Sequence, residues 1–157
     1  MTNTASIPVT LTVNGTQQTL QVPPRTQLAE LLRDKLDLTA THLGCEQGVC
    51  GACTVMIDGK PARSCLTFAA NCDGTTVQTL EGWNGDVLMD ALRAAFHQHH
   101  ALQCGFCTPG FIASMVAGQI AGVPHSAEVQ IAGNLCRRTG PWWVNHNHVK
   151  ARQLVWQ

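Results

Sequence analysis

The sequence predicts an α+β protein, with a small mixed sheet crossed by one helix and then an all-helical second half. Three observations carry this. Apolar residues near the N-terminus alternate at period two, and beyond residue 85 their spacing becomes three to four. Turn dipeptides punctuate the first half. Cysteines gather into one close set in each half.

Ile7, Val9, Leu11 and Val13 alternate with Pro8, Thr10 and Thr12, which describes a half-buried strand. Asn14-Gly15 is a hairpin turn signal, and Thr19-Leu20-Gln21-Val22 reads as the returning strand, ended by Pro23-Pro24. Thr26 is expected to cap a helix over 27–35, with Leu28, Leu31 and Leu32 on one face. A loop rich in Gly and Cys follows over 44–51. The segment 54–57 reads as a strand, Asp58-Gly59 as a turn, 62–65 as its partner, and 75–80 as the last strand.

Residues 81–85, with Gly82 and Gly85, read as a linker between domains 1–80 and 86–157. Val87, Leu88, Ala91, Leu92, Ala95 and Phe96 then form a helical stripe. Pro109 is placed to start a second helix, reaching about residue 121. Ser126 is placed to cap a third, ending at Gly133, and 142–156 reads as a fourth. No internal repeat is visible.

The chain has 157 residues, 45% of them hydrophobic, enough to bury a core. Lys plus Arg and Asp plus Glu number 10 each. A nucleic-acid binder carries a basic excess, and this chain has none. A freely diffusing electron carrier uses net charge to steer encounters, so neutrality fits a subunit that stays docked. Residues 1–16 lack a basic start followed by an apolar run, and the apolar stretch 111–123 is broken by Ser114, Gly118 and Gln119. A cytoplasmic chain without a membrane span is therefore expected.

The 8 cysteines carry the chemistry. Cys45-x4-Cys50-x2-Cys53, with Cys65 on a nearby hairpin, has the plant-type [2Fe–2S] spacing. Each iron takes four sulfurs. Bridging sulfides supply two, so four thiolates close a two-iron cluster. Gly44, Gly48 and Gly51 let the loop wrap closely, where a Cβ would clash. A zinc site also uses CxxC pairs, but as two separated knuckles, whereas three of these cysteines share one loop. Cys104-Gly105-Phe106-Cys107 and Cys136 form a second set at predicted helix ends. A lone CxxC also serves as a redox pair, although that pair follows a strand in a thioredoxin-like unit.

The run from Gly44 to Val55, Gly-Cys-Glu-Gln-Gly-Val-Cys-Gly-Ala-Cys-Thr-Val, resembles the first cluster loop of the small subunits of the xanthine oxidase family of molybdenum hydroxylases. Gln103-Cys104-Gly105-Phe106-Cys107-Thr108-Pro109-Gly110 resembles their second, and Gly133-Asn134-Leu135-Cys136-Arg137 their third element. The resemblance spans nearly the whole chain in order. It implies a β-grasp, ferredoxin-like domain followed by a four-helix bundle. It implies that Cys45, Cys50, Cys53 and Cys65 bind an outer [2Fe–2S] cluster, and Cys104, Cys107 and Cys136 an inner one. Gln103 matches a pterin contact.

The implied function is electron relay from a large molybdopterin-binding subunit to a medium FAD-binding subunit, or to a cytochrome in its place. No substrate site is expected on this chain. The loop around Gln103, Gly105, Phe106 and Gly110 is expected to face the molybdopterin-bearing partner.

One departure stands out. The family pattern Cys-Arg-Cys-Thr-Gly-Tyr reads here Cys136-Arg137-Arg138-Thr139-Gly140-Pro141. Arg138 occupies the place of the fourth inner thiolate, and a guanidinium stays protonated. Cys72 lies outside the pattern as a structural thiol. His97, His99, His100, His146 and His148 read as solvated helix-end residues. Two rival functions follow from the residues alone, a free-standing ferredoxin-type carrier and a zinc-stabilised binding module. Gel filtration separates the first from a docked subunit, and colour separates the second from an iron–sulfur protein.

Overall fold

The computed structural model describes residues 5–120 and 131–136. Strand β1 (Ile7–Val13) pairs antiparallel with β2 (Thr16–Val22) from Ile7 opposite Val22 to Val13 opposite Thr16. Asn14 and Gly15 turn the hairpin with φ of 49° and 81°, the two positive values that a type I′ turn needs. The apolar alternation in β1 puts Val9, Leu11 and Val13 inward.

Helix α1 (Leu28–Glu30) runs on as a wider π-helical stretch over Leu31–Lys35. Its start differs from expectation. Thr26 is not the cap, because its N–H closes a turn onto the Pro23 carbonyl and its own carbonyl accepts the Ala69 N–H, next to the bridge between Gln27 and Phe68. Gln27 is the N-cap, and its N–H donates to the Glu30 carboxylate at 2.9 Å.

Strands β3 (Thr54–Ile57) and β4 (Lys60–Arg63) form the second hairpin, and β5 (Thr76–Gln78) lies between the hairpins. The sheet order is β2-β1-β5-β3-β4, mixed because β1 and β5 run parallel. Short 3-10 turns cover Ala69–Cys72 and Leu80–Trp83. The second falls partly within the expected linker and buries Trp83. Asp86 caps α2 (Val87–Gln98), accepting the Met89 N–H at 3.0 Å, and α3 spans Thr108–Ile120.

Two apolar clusters result. One packs Val9, Leu11, Val22, Leu31, Leu32, Val55 and Val77 beneath α1. The other packs Trp83, Met89, Leu92, Phe96, Phe111, Met115 and Ile131. Val55 belongs to the first and its neighbour Met56 to the second, so β3 is covered on both faces. Helix α3 lies against β3 and β4. Most of the third expected helix and all of the fourth lie outside the described residues, as do Arg138, His146 and His148. Among the described residues no helix is long and apolar enough to cross a membrane.

Candidate metal centres

The β3–β4 hairpin builds half of the first site. Thr54 pairs with Arg63, so the chain returns Cys65 beside Cys53. Ser64 secures this, since its N–H and hydroxyl both donate to the Cys53 carbonyl, at 3.3 and 2.7 Å. Both thiols are buried. Burial first, then the hydrogen bond from its neighbour Cys53, pushes Cys65 up to about 11.

The loop ahead of β3 builds the other half. Its approach is held by Arg33, which donates to the carbonyls of Thr39 and Thr41, each at 2.8 Å. Ala40 N–H donates to the Glu81 carboxylate at 2.8 Å. Within the loop the N–H groups of Cys50 and Gln47 point at Cys45 Sγ, at 3.3 and 3.4 Å. The Cys50 amide, then Gln47's, draws the Cys45 thiol down to about 6. The Ala52 amide likewise faces Cys50, and the Gly48 amide faces Cys65. Burial outweighs this at Cys50, whose thiol is raised.

Backbone donors thus converge on sulfur from successive residues, and the loop manages it by taking left-handed φ at Glu46, Gly48 and Gly51. The thiols sort into two neighbouring pairs, Cys45 with Cys50 and Cys53 with Cys65. A two-iron cluster needs two thiolates per iron, and its thiolates are stabilised by amide N–H bonds, so the donor set fits that group.

The second set sits on the helical layer. Cys104 is exposed on the 101–107 loop, and Cys107 immediately precedes α3. Cys107 lies against Cys136, and burial followed by that contact pushes it up to about 12. Thr108 Oγ1, next to Cys107, is buried with no hydrogen-bond partner among the described residues. Gln103 is exposed next to Cys104. Phe106 is 46% exposed, its ring stacked on His42 at 4.6 Å, and its carbonyl is 2.7 Å from His42 Nδ1. Gly110 departs from expectation. It is buried against the first loop instead of facing outward, because a Cβ there would come within 2.8 Å of Ala52 Cα.

Both sets open on one cavity of about 770 Å³. Cys45 and Cys50 line it from the first set, and Cys104, Cys107 and Cys136 from the second. Cys72 is apart, packed in the first core with its thiol 3.7 Å from the Phe68 carbonyl. Among the described residues the histidines form no metal-binding group. Asn134, Arg63 and His42 join the two loops, and no role for them was evident in the sequence. For Asn134 the one available signal was a polar residue directly before Leu135-Cys136.

Two family models match the chain. One, described as a 2Fe-2S iron-sulfur cluster binding domain, covers residues 11–73. The other, a [2Fe-2S] binding domain, covers 76–143. The caffeine dehydrogenase subunit gamma of Pseudomonas sp. (strain CBB1) is 48% identical over 138 residues, covering 84% of this chain and 83% of that one. The nicotine 6-hydroxylase small subunit of Paenarthrobacter nicotinovorans is 47% identical over 137 residues, with 85% and 82% covered. Among solved structures, quinoline 2-oxidoreductase from Pseudomonas putida 86 superposes with a TM-score of 0.83 at 39% identity, covering 97% of each chain.

Proposed function

From the premise that the chain belongs to the small iron–sulfur subunits of the xanthine oxidase family of molybdenum hydroxylases and dehydrogenases, we propose how its two cysteine sets are used. It is an electron-transfer subunit of an oxidoreductase complex, with one [2Fe–2S] centre in each matched domain. When bound, such a cluster takes up and passes on single electrons.

Cys45, Cys50, Cys53 and Cys65 hold the outer centre. Cys104, Cys107 and Cys136 hold the inner one, with Arg138 at the fourth position and another donor completing it. Gln103, exposed beside Cys104, meets the pterin of the large partner. A medium FAD-binding subunit, or a cytochrome, receives the electrons at the outer end. The complex works in the cytoplasm, and substrate is bound elsewhere in it. The halves 1–80 and 86–157 act as the outer and inner domains. Residues 126–133 and 142–156 complete a four-helix bundle around the inner set.

The observation that carries this reading is the placing of both cysteine sets around one cavity, each within a stretch that matches a [2Fe-2S] domain. The test is the native complex. It should contain about four irons per copy of this chain, two distinct cluster EPR signals and molybdenum in a much larger chain. Cys50→Ser should remove or strongly perturb the outer signal and spare the inner. A homogeneous, active preparation of this chain alone, free of molybdenum, would overturn the reading. So would a colourless zinc protein.

A further inference from the structure

We propose that the hydrogen bond from Leu135 N–H to the Cys50 carbonyl is the electron bridge between the two centres, and that Asn134 is the positioning residue that holds it. The inference rests on the cysteine assignments above. The bond is 2.9 Å long and joins the cysteine sets almost directly. From Cys50 Sγ the path follows that residue's own bonds to its carbonyl, crosses one hydrogen bond, and reaches Cys136 through Leu135. Electronic coupling decays less along covalent bonds and short hydrogen bonds than across open gaps. Two other contacts give longer routes: Gly110 packs against Gly51 and Ala52 and reaches Cys107 only through Thr108 and Pro109, and the 2.7 Å contact of His42 Nδ1 with the Phe106 carbonyl adjoins Cys107 but starts three residues from Cys45.

Asn134 is built to hold this bond. It is 5% exposed, and its Nδ2 donates to the Gly51 carbonyl at 3.2 Å, one residue from the bridge. Its Oδ1 accepts from Ser114 Oγ of α3 at 2.9 Å, and its own N–H is tied to the Ile131 carbonyl at 2.8 Å. Arg63 donates to the Gly133 carbonyl at 2.7 Å and so pins the same turn to the β4 end. A buried amide with both ends satisfied is costly to remove and rigid while present. The Leu135 side chain is 52% exposed, so the backbone at this position carries the contact.

The experiment uses the intact complex carrying Asn134→Ala, Leu135→Pro or Leu135→Ala. Iron content and the two EPR signals are recorded first. Flash photoreduction then follows transfer between the centres, and the splitting of the EPR lines reports their exchange coupling. Leu135→Ala keeps its N–H and should transfer at the native rate. Leu135→Pro lacks the N–H and should lose the exchange contribution and slow transfer several-fold. Asn134→Ala should fall between them, and it decides the matter if Leu135→Pro does not assemble.

Native transfer in Asn134→Ala or Leu135→Pro, with both signals intact, overturns the bridge. Loss of the inner cluster from Asn134→Ala also overturns it, because that makes Asn134 a structural support. A native complex lacking either signal would instead refute the cluster assignments themselves.

Discussion

Cys45 and Cys107 share a sequence context of small residues and close cysteines, yet the fold sets their acidities far apart. Amide donors bring Cys45 down to about 6, and burial takes Cys107 to about 12 and Cys65 to about 11. For the iron-free chain the signs oppose. A lowered folded value adds stability that is present above the ordinary thiol value and is lost as pH falls through 6. Raised values add stability that is present below the ordinary value and is lost as pH rises through 11 to 12. Melting of the iron-free chain should therefore fall between pH 9 and pH 11, and Cys65→Ser with Cys107→Ser should remove part of that fall. An unchanged slope in the double variant would contradict the burial argument. The proposal that Arg138 takes the fourth inner position implies that its fixed positive charge raises the inner centre's potential. Arg138→Cys should make that centre more stable to air and lower its potential, as read by EPR-monitored redox titration. About two irons per chain and a single EPR signal in the unmodified complex would show the inner site empty.

The secondary elements show which parts of this architecture are legible one residue at a time. The first hairpin is, since alternation and Asn14-Gly15 both act locally. The start of α1 is not, because the pairing that holds Thr26 comes from Phe68 and Ala69, some forty positions away. Gly110 was legible as part of a motif but not in its role. In the first turn of α3 a glycine normally weakens the helix, by about 0.5–1 kcal/mol relative to Ala. Here a Cβ would strike the backbone of Gly51 and Ala52, which cannot swing aside as a side-chain end would. Overpacking of this kind costs about 1–3 kcal/mol. The clash outweighs the helical gain, so Gly110→Ala should lower the melting temperature and the iron content together. A stabilised variant with full iron would show that α3 and the loop separate without loss.

Taken whole, the molecule brings into one place two cysteine sets that the sequence separates by about fifty residues, and spacing could assign each set but not their common cavity. The joining contacts come from Arg63 and His42, which lie in no motif, and from Asn134, which lies in one that gives it no such role. At this scale the expectation is that His42→Ala loosens the Phe106 loop. The change should raise the air sensitivity of the inner signal more than that of the outer, as followed by EPR over hours; equal loss of both would count against it. A last consequence belongs to β3. Val55 packs into one core and Met56 into the other, so neither layer can open without exposing this strand. In deuterated solvent its amides should be the last in the chain to exchange, and the slowest-exchanging peptide should be the one that begins at Cys53.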